Sequence, residues 1–150
     1  MTSADPSFLP MFYDFDIVIR AGTTEASPTT EILRLTYGII HYVAIEMPPG
    51  CRGLVYCRIR RWESQVWPLN RGGYFRTEGP PIIFEERYPL LSRPYTLKFE
   101  GWSPNAGLDH SVFVRLGLLP PESFPEFYMQ LTTEEKLALA FQPVAEEEVE

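Results

Sequence analysis

The chain has 150 residues, of which 45% are hydrophobic, 14% aromatic and 22% charged, and its formal net charge is −7 at pH 7. That length gives one domain with a substantial core, and the acidic balance speaks against a general nucleic-acid binder, which needs a basic footprint to neutralise phosphates. No early segment has the basic start and continuous apolar run of a signal peptide, and no stretch approaches a membrane span, so a protein made in the cytoplasm without membrane contact is expected.

Charge and residue choice are uneven. Glu146, Glu147, Glu148 and Glu150 crowd the C-terminus, leaving the body closer to neutral. Arginine supplies all the basic residues except Lys98 and Lys136. Arginine forms fixed bidentate pairs at interfaces, although genome composition produces the same bias. Cys51 and Cys57 complete no zinc spacing, and in an extended segment they stand about 20 Å apart, too far for a disulfide.

In chain order, residues 1–12 read as an apolar arm, with Phe8, Leu9, Met11 and Phe12 set beside Pro6 and Pro10 and without helical or strand period. The sandwich proper is expected over residues 13–118. Its first strand turns Tyr13, Phe15, Ile17 and Ile19 to one face and Asp14, Asp16 and Arg20 to the other. After a loop punctuated by Gly22 and Pro28, a second strand alternates Leu33, Leu35 and Tyr37 with Arg34 and Thr36. Gly38 marks a bend before an apolar strand at residues 39–46.

From Ile39 to Arg61 the pattern is that of a β-hairpin closed by Met47-Pro48-Pro49-Gly50. On its return strand Val55, Cys57 and Ile59 face one way, and Tyr56, Arg58, Arg60 and Trp62 face the other. Short strands are expected at Tyr74–Thr77 and Ile82–Arg87, and then at Tyr95–Phe99 and Val112–Leu116. Seven or eight short strands bounded by Gly, Pro and Asn clusters make an all-β, antiparallel β-sandwich, of jelly-roll or Greek-key type. An immunoglobulin-like sandwich fits the spacing too, but its core cysteine pair is missing.

Residues 119–150 form a C-terminal arm. Pro120 and Pro121 end the last strand, Phe124, Phe127, Tyr128 and Met129 follow, and Thr132 with Glu135 signals a short helix to about Phe141 before the acidic tail. Burying one large apolar side chain is worth about 1.5–3 kcal/mol, so the arms are expected to be covered. They either close the ends of their own sandwich or reach onto neighbouring subunits.

Chemistry-bearing residues are few. His41, in phase with Ile39, Val43 and Ile45, reads as a core or interface histidine. Asp109-His110 reads as a turn, since no serine or cysteine sits in a nucleophile elbow. Asp14 and Asp16 share a face about 7 Å apart, but nothing nearby completes a calcium shell. No phosphate loop, dinucleotide fingerprint or metalloprotease helix is present, and neither a cofactor, a metal nor an enzymatic activity is expected. The row Tyr56, Arg58, Arg60, Trp62 has the composition of an interface hot spot, covered by the second arm, paired with Glu85 and Glu86, or set against another subunit. Alternatively, Trp62, Trp67 and Tyr74 stack on sugar rings, as in a carbohydrate-binding or adhesion module.

One small sandwich with apolar, proline-rich arms resembles the small structural proteins of virions. These include the head-decoration proteins of tailed phages and compact jelly-roll capsid subunits; the visible parts are Phe8 to Phe12, Met47 to Gly53 and Leu118 to Leu131. The resemblance implies a structural protein of the virion, made in the host cytoplasm. It would pack against copies of itself, with a trimer favoured, and against a major capsid or shell protein. It would have no enzymatic turnover and no direct contact with nucleic acid.

Overall fold

The computed structural model describes residues 11–129 and 133–140. Phe8, Leu9, Leu131 and the expected capping residue Thr132 lie outside them, as do the side chains of Phe127 and Tyr128.

Period-two patterning dominates, and each apolar-alternating run becomes a strand with one buried face. The strands are β1 (Met11–Ile19), β2 (Thr29–Arg34), β3 (Gly38–Glu46), β4 (Tyr56–Arg61), β5 (Ser64–Trp67), β6 (Ile82–Leu90), β7 (Thr96–Trp102) and β8 (His110–Leu119). They form two four-stranded sheets, ordered β1-β8-β3-β6 and β2-β7-β4-β5. The antiparallel partners are nested: β1 pairs with β8, β2 with β7, β3 with β6 and β4 with β5. The chain is therefore one long antiparallel ribbon rolled over on itself, joined across the roll by β3–β8 and β4–β7 pairing. That is the jelly-roll arrangement.

Between the sheets lies one apolar core. Ile17 and Ile19 of β1, Ile40, Val43 and Ile45 of β3, and alternate residues Val112 to Leu118 of β8 meet Leu33, Cys57, Ile59, Leu97 and Phe99 from the opposite sheet. Cys51 and Cys57 are buried free thiols.

Four details differ from the sequence reading. The first strand begins at Met11, so Met11 and Phe12 are not arm residues: they pair with Leu118 and Gly117 of β8. Residues 39–61 are not a hairpin, because β3 and β4 lie in different sheets. Two apolar runs joined by a Pro-Pro-Gly turn look alike whether the second run pairs with the first or crosses the core. Here β3 is occupied on both sides by β8 and β6, and the connection buries Met47, Cys51 and Val55 on its way across. The hairpin partner of β4 is β5, a strand absent from the sequence reading. Residues 74–77, expected as a strand, contribute a single bridge between Phe75 and Cys57.

His41 is the fourth. The β3 register slips between Ile40 and Tyr42 against both neighbours, and relative to β8 His41 is the extra residue of a β-bulge. It therefore does not share the phase of Val43 and Ile45. A Cβ built on Gly117 would stand 3.1 Å from His41 Nε2 and 3.2 Å from Tyr42 Cβ, so the missing side chain of Gly117 accommodates the bulge.

The C-terminal segment starts by packing on its own domain. Pro120 and Pro121 are buried, a 3-10 turn covers Pro121–Ser123, and two short helices follow, α1 (Pro125–Tyr128) and α2 (Thr133–Ala140).

Candidate interaction surfaces

Tyr56, Arg58 and Arg60 do share the outer face of the β2-β7-β4-β5 sheet. The central strand β7 lies beside them, in the register Tyr56–Trp102, Arg58–Glu100 and Arg60–Lys98. Glu100 organises the face. Arg58 Nε and Arg60 Nε both donate to Glu100 Oε1 at 2.7 Å, and Lys98 Nζ lies 3.6 Å from Glu100 Oε2. A second donor of Arg58, Nη1, reaches Glu25 Oε2 at 3.0 Å from the β1–β2 loop. Burial works against the Glu100 charge, but the hydrogen bonds from Arg58 and Arg60 outweigh it and hold the carboxyl below its ordinary value.

Aromatic rings close this network. The Arg58 guanidinium lies 4.8 Å from the Trp102 ring centroid. Tyr56 stacks on Trp102, and Tyr74 meets Tyr56 edge-on at 5.0 Å. Arg58 is consequently only 8% exposed. It is a structural ion-pair residue, whereas Arg60 and Tyr56 remain half-buried. Glu85 and Glu86, one of the alternative partners for the row, sit on β6 in the other sheet.

Trp62 is not in the row. With Glu63 it makes the two-residue turn between β4 and β5, at φ 55°, a left-handed conformation uncommon for a bulky residue. It is 62% exposed, with the Arg61 guanidinium 4.3 Å from its ring centroid. Nor do Trp62, Trp67 and Tyr74 form a sugar platform. Trp67 is 4% exposed, packs edge-on against Phe84 and Tyr88, and donates its indole N–H to Glu86 Oε2 at 2.8 Å.

The outer face of the other sheet carries Phe12, Asp14, Asp16 and Val18 on β1, Phe113 and Arg115 on β8, Tyr42 and Glu46 on β3, and Ile83, Glu85 and Arg87 on β6. Arg115 Nη1 donates to Glu46 at 2.9 Å and its Nε lies 3.6 Å from Asp14. Asp14 thus serves an ion pair. The start of the C-terminal arm reaches this face too: Arg87 pairs with Glu126, and its guanidinium lies 5.3 Å from the Phe124 ring centroid. Met129, a few residues on, is 77% exposed.

Of the strand-entrance pair, Asp109 fastens loops together, while His110 opens β8 opposite Ile19. Asp109 Oδ1 accepts the Ala21 N–H at 2.8 Å. Beside it, Ser103 receives Gly22 N–H on its carbonyl at 2.9 Å and donates its hydroxyl to Leu54 O at 2.9 Å. Among the described residues no helix is long and apolar enough to cross a membrane, and no three His, Cys, Asp or Glu residues are grouped to hold a metal ion.

Glu25 and Trp102 are absent from the sequence reading, and Glu100 is not paired with the row there. One signal was present: Thr96, Lys98 and Glu100 alternate outward on a strand, as Arg58 and Arg60 do, and opposite charges pair across neighbouring strands. Without the pairing order that match had no address.

No family model matches the chain, and no curated protein matches it. Among solved structures, a chain from Desmodium yellow mottle tymovirus is similar over 80% of this chain and 90% of that one, at 10% identity and a TM-score of 0.29. The jelly-roll assignment rests on the strand order of this chain.

Proposed function

We propose that this protein is a non-enzymatic structural subunit that assembles with copies of itself or decorates a larger shell, as virion jelly-roll proteins do. The observation that carries the reading is that the described residues bury one apolar core between the sheets while large apolar side chains stay outside it. Trp62, Phe12, Leu69, Leu108 and Met129 are each more than half exposed, around a core that is fully buried at its centre and half-buried along the inner faces of the edge strands β1 and β6. Phe8 and Leu9 precede an edge strand whose inward residues Ile17 and Ile19 are buried and Met11, Tyr13 and Phe15 half-buried. Apolar side chains supplied in excess of that core, at several sites round a rigid sandwich, suit contacts with other subunits. The Glu100 network contributes stiffness, since a doubly bonded carboxylate fixes β4 against β7.

The test is the mass of the purified chain by light scattering over a range of concentrations, run beside a glycan-binding screen. An oligomer, or saturable binding to a shell protein, is the expected result. A monomer at every concentration that binds a glycan would overturn the proposal in favour of an adhesion module.

A further inference from the structure

The two outer faces of the sandwich have opposite charge. On the β1-β8-β3-β6 face the outward residues include the acids Asp14, Asp16, Glu46 and Glu85 against Arg87 and Arg115, a net −2. On the β2-β7-β4-β5 face they include Arg34, Arg58, Arg60 and Lys98 against Glu100, a net +3, which Glu25 above Arg58 lowers to +2. A chain of net charge −7 thus keeps one basic face. Each face also exposes apolar side chains among its charges: Phe12, Val18 and Ile83 on the acidic side, and Ile32 with the nearby Tyr74 on the basic side.

We infer that the acidic face of one copy docks on the basic face of the next, the occupant in each case being a second copy of this chain. The inference rests on the assembly reading above and specifies its contact. Like faces repel, so a two-fold pairing of either face with itself is disfavoured, and the complementary arrangement is head-to-tail. Opposite faces of a sandwich point in opposite directions, so repetition of the contact builds a stack. Strand spacing and length give a face of about 400–600 Å². That area is near the lower limit for a stable interface, so association should depend on concentration and weaken as salt screens the charges.

Two charge-reversed variants test this in the full chain: Asp16→Lys with Glu85→Lys on the acidic face, and Arg34→Glu with Lys98→Glu on the basic face. Their masses are read by sedimentation, alone and as an equimolar mixture, with circular dichroism to verify folding. Each alone is expected to lose most of the assembled fraction. The mixture is expected to recover assembly as alternating stacks, because the reversed acidic face meets the reversed basic face and the two unchanged faces meet each other. If the basic-face variant fails to fold, the acidic-face variant stands in: mixed with wild type, it is expected to cap stacks through its intact basic face and so lower their mean mass. Wild-type assembly that neither reversal reduces would overturn the inference while leaving self-assembly intact. A wild-type monomer at all concentrations would overturn the inference, and the assembly reading falls with it when no shell protein binds that monomer.

Discussion

The rings of Phe12 and Tyr42 meet 5.8 Å apart across a strand that has no side chain between them. Both residues pair with Gly117 of β8, Phe12 from one side and Tyr42 from the other, so two aromatics cover one glycine. This ties the edge strand β1 to the central strand β3 and places the first described residues at the rim of the acidic face.

Phe12→Ala and Tyr42→Ala should therefore couple. A double-mutant cycle by urea denaturation is expected to give an interaction of about 0.5–1 kcal/mol, the range for aromatic pairs. Gly117→Ala should cost about 1–3 kcal/mol, because the new methyl crowds the Tyr42 Cβ, which the backbone holds. Additive effects of Phe12 and Tyr42 would show that the rings cover the glycine without supporting each other.

Glu100→Ala should be far more damaging than its place on an outer face suggests. It leaves Arg58, 8% exposed, with only Glu25 for its charge. Loss of about 3–5 kcal/mol is expected, the usual result of breaking one partner of a buried pair. Arg60→Ala, at a more exposed position, should cost clearly less. Equal losses in the two variants would mean that Arg58 is not the residue stranded.

Acid should destabilise the protein in two steps. Burial lowers the His41 pKa from 6.5, with Glu85 opposing the shift, so the folded state favours the neutral ring. The unfolded chain then binds the proton first, and stability falls as pH drops below 6.5 toward the lower folded value. Glu100 also has a folded pKa below its ordinary 4.5, so its contribution, present above that pH, is lost as pH falls through the folded value. Melting temperature against pH should show the first decline only when His41 is present, and His41→Gln should remove it. A profile unchanged by that substitution would assign the decline to another group.

The thiols should be silent in the native state. Cys57 is fully buried and its pKa is pushed far up by desolvation; Cys51 is buried and shifted the same way. Labelling with a thiol reagent is expected to proceed at the unfolding rate, with Cys57 no faster than global opening. Rapid labelling at neutral pH would contradict the packing of the β3–β4 connection.

Strand phase was legible where the alternation was strict. Tyr13 to Ile19, Leu97 with Phe99, and Val112 to Leu116 all turn inward as the period-two pattern requires. Partnership was not legible, since Ile39 to Arg61 reads the same as a hairpin or as a crossing between sheets. Phase also failed where the chain stops being regular. His41 lies in a bulge that resets the alternation, and Trp62 lies in a turn that ends it. Outward direction, finally, did not mean exposure: Arg58 points away from the core but is enclosed by Glu100, Glu25 and Trp102. A lone sequence carries side-chain direction far better than it carries neighbours.

The account depends most on surplus apolar side chains binding other subunits. Comparing the mass of the full chain with that of a chain lacking residues 1–10, which carry Phe8 and Leu9, tests this most directly. An oligomer that dissociates or shrinks in the shortened chain, with its melting temperature nearly unchanged, is the predicted result. Equal masses for the two chains, with a large loss of stability in the shorter one, would show that this segment serves its own sandwich and would contradict the claim.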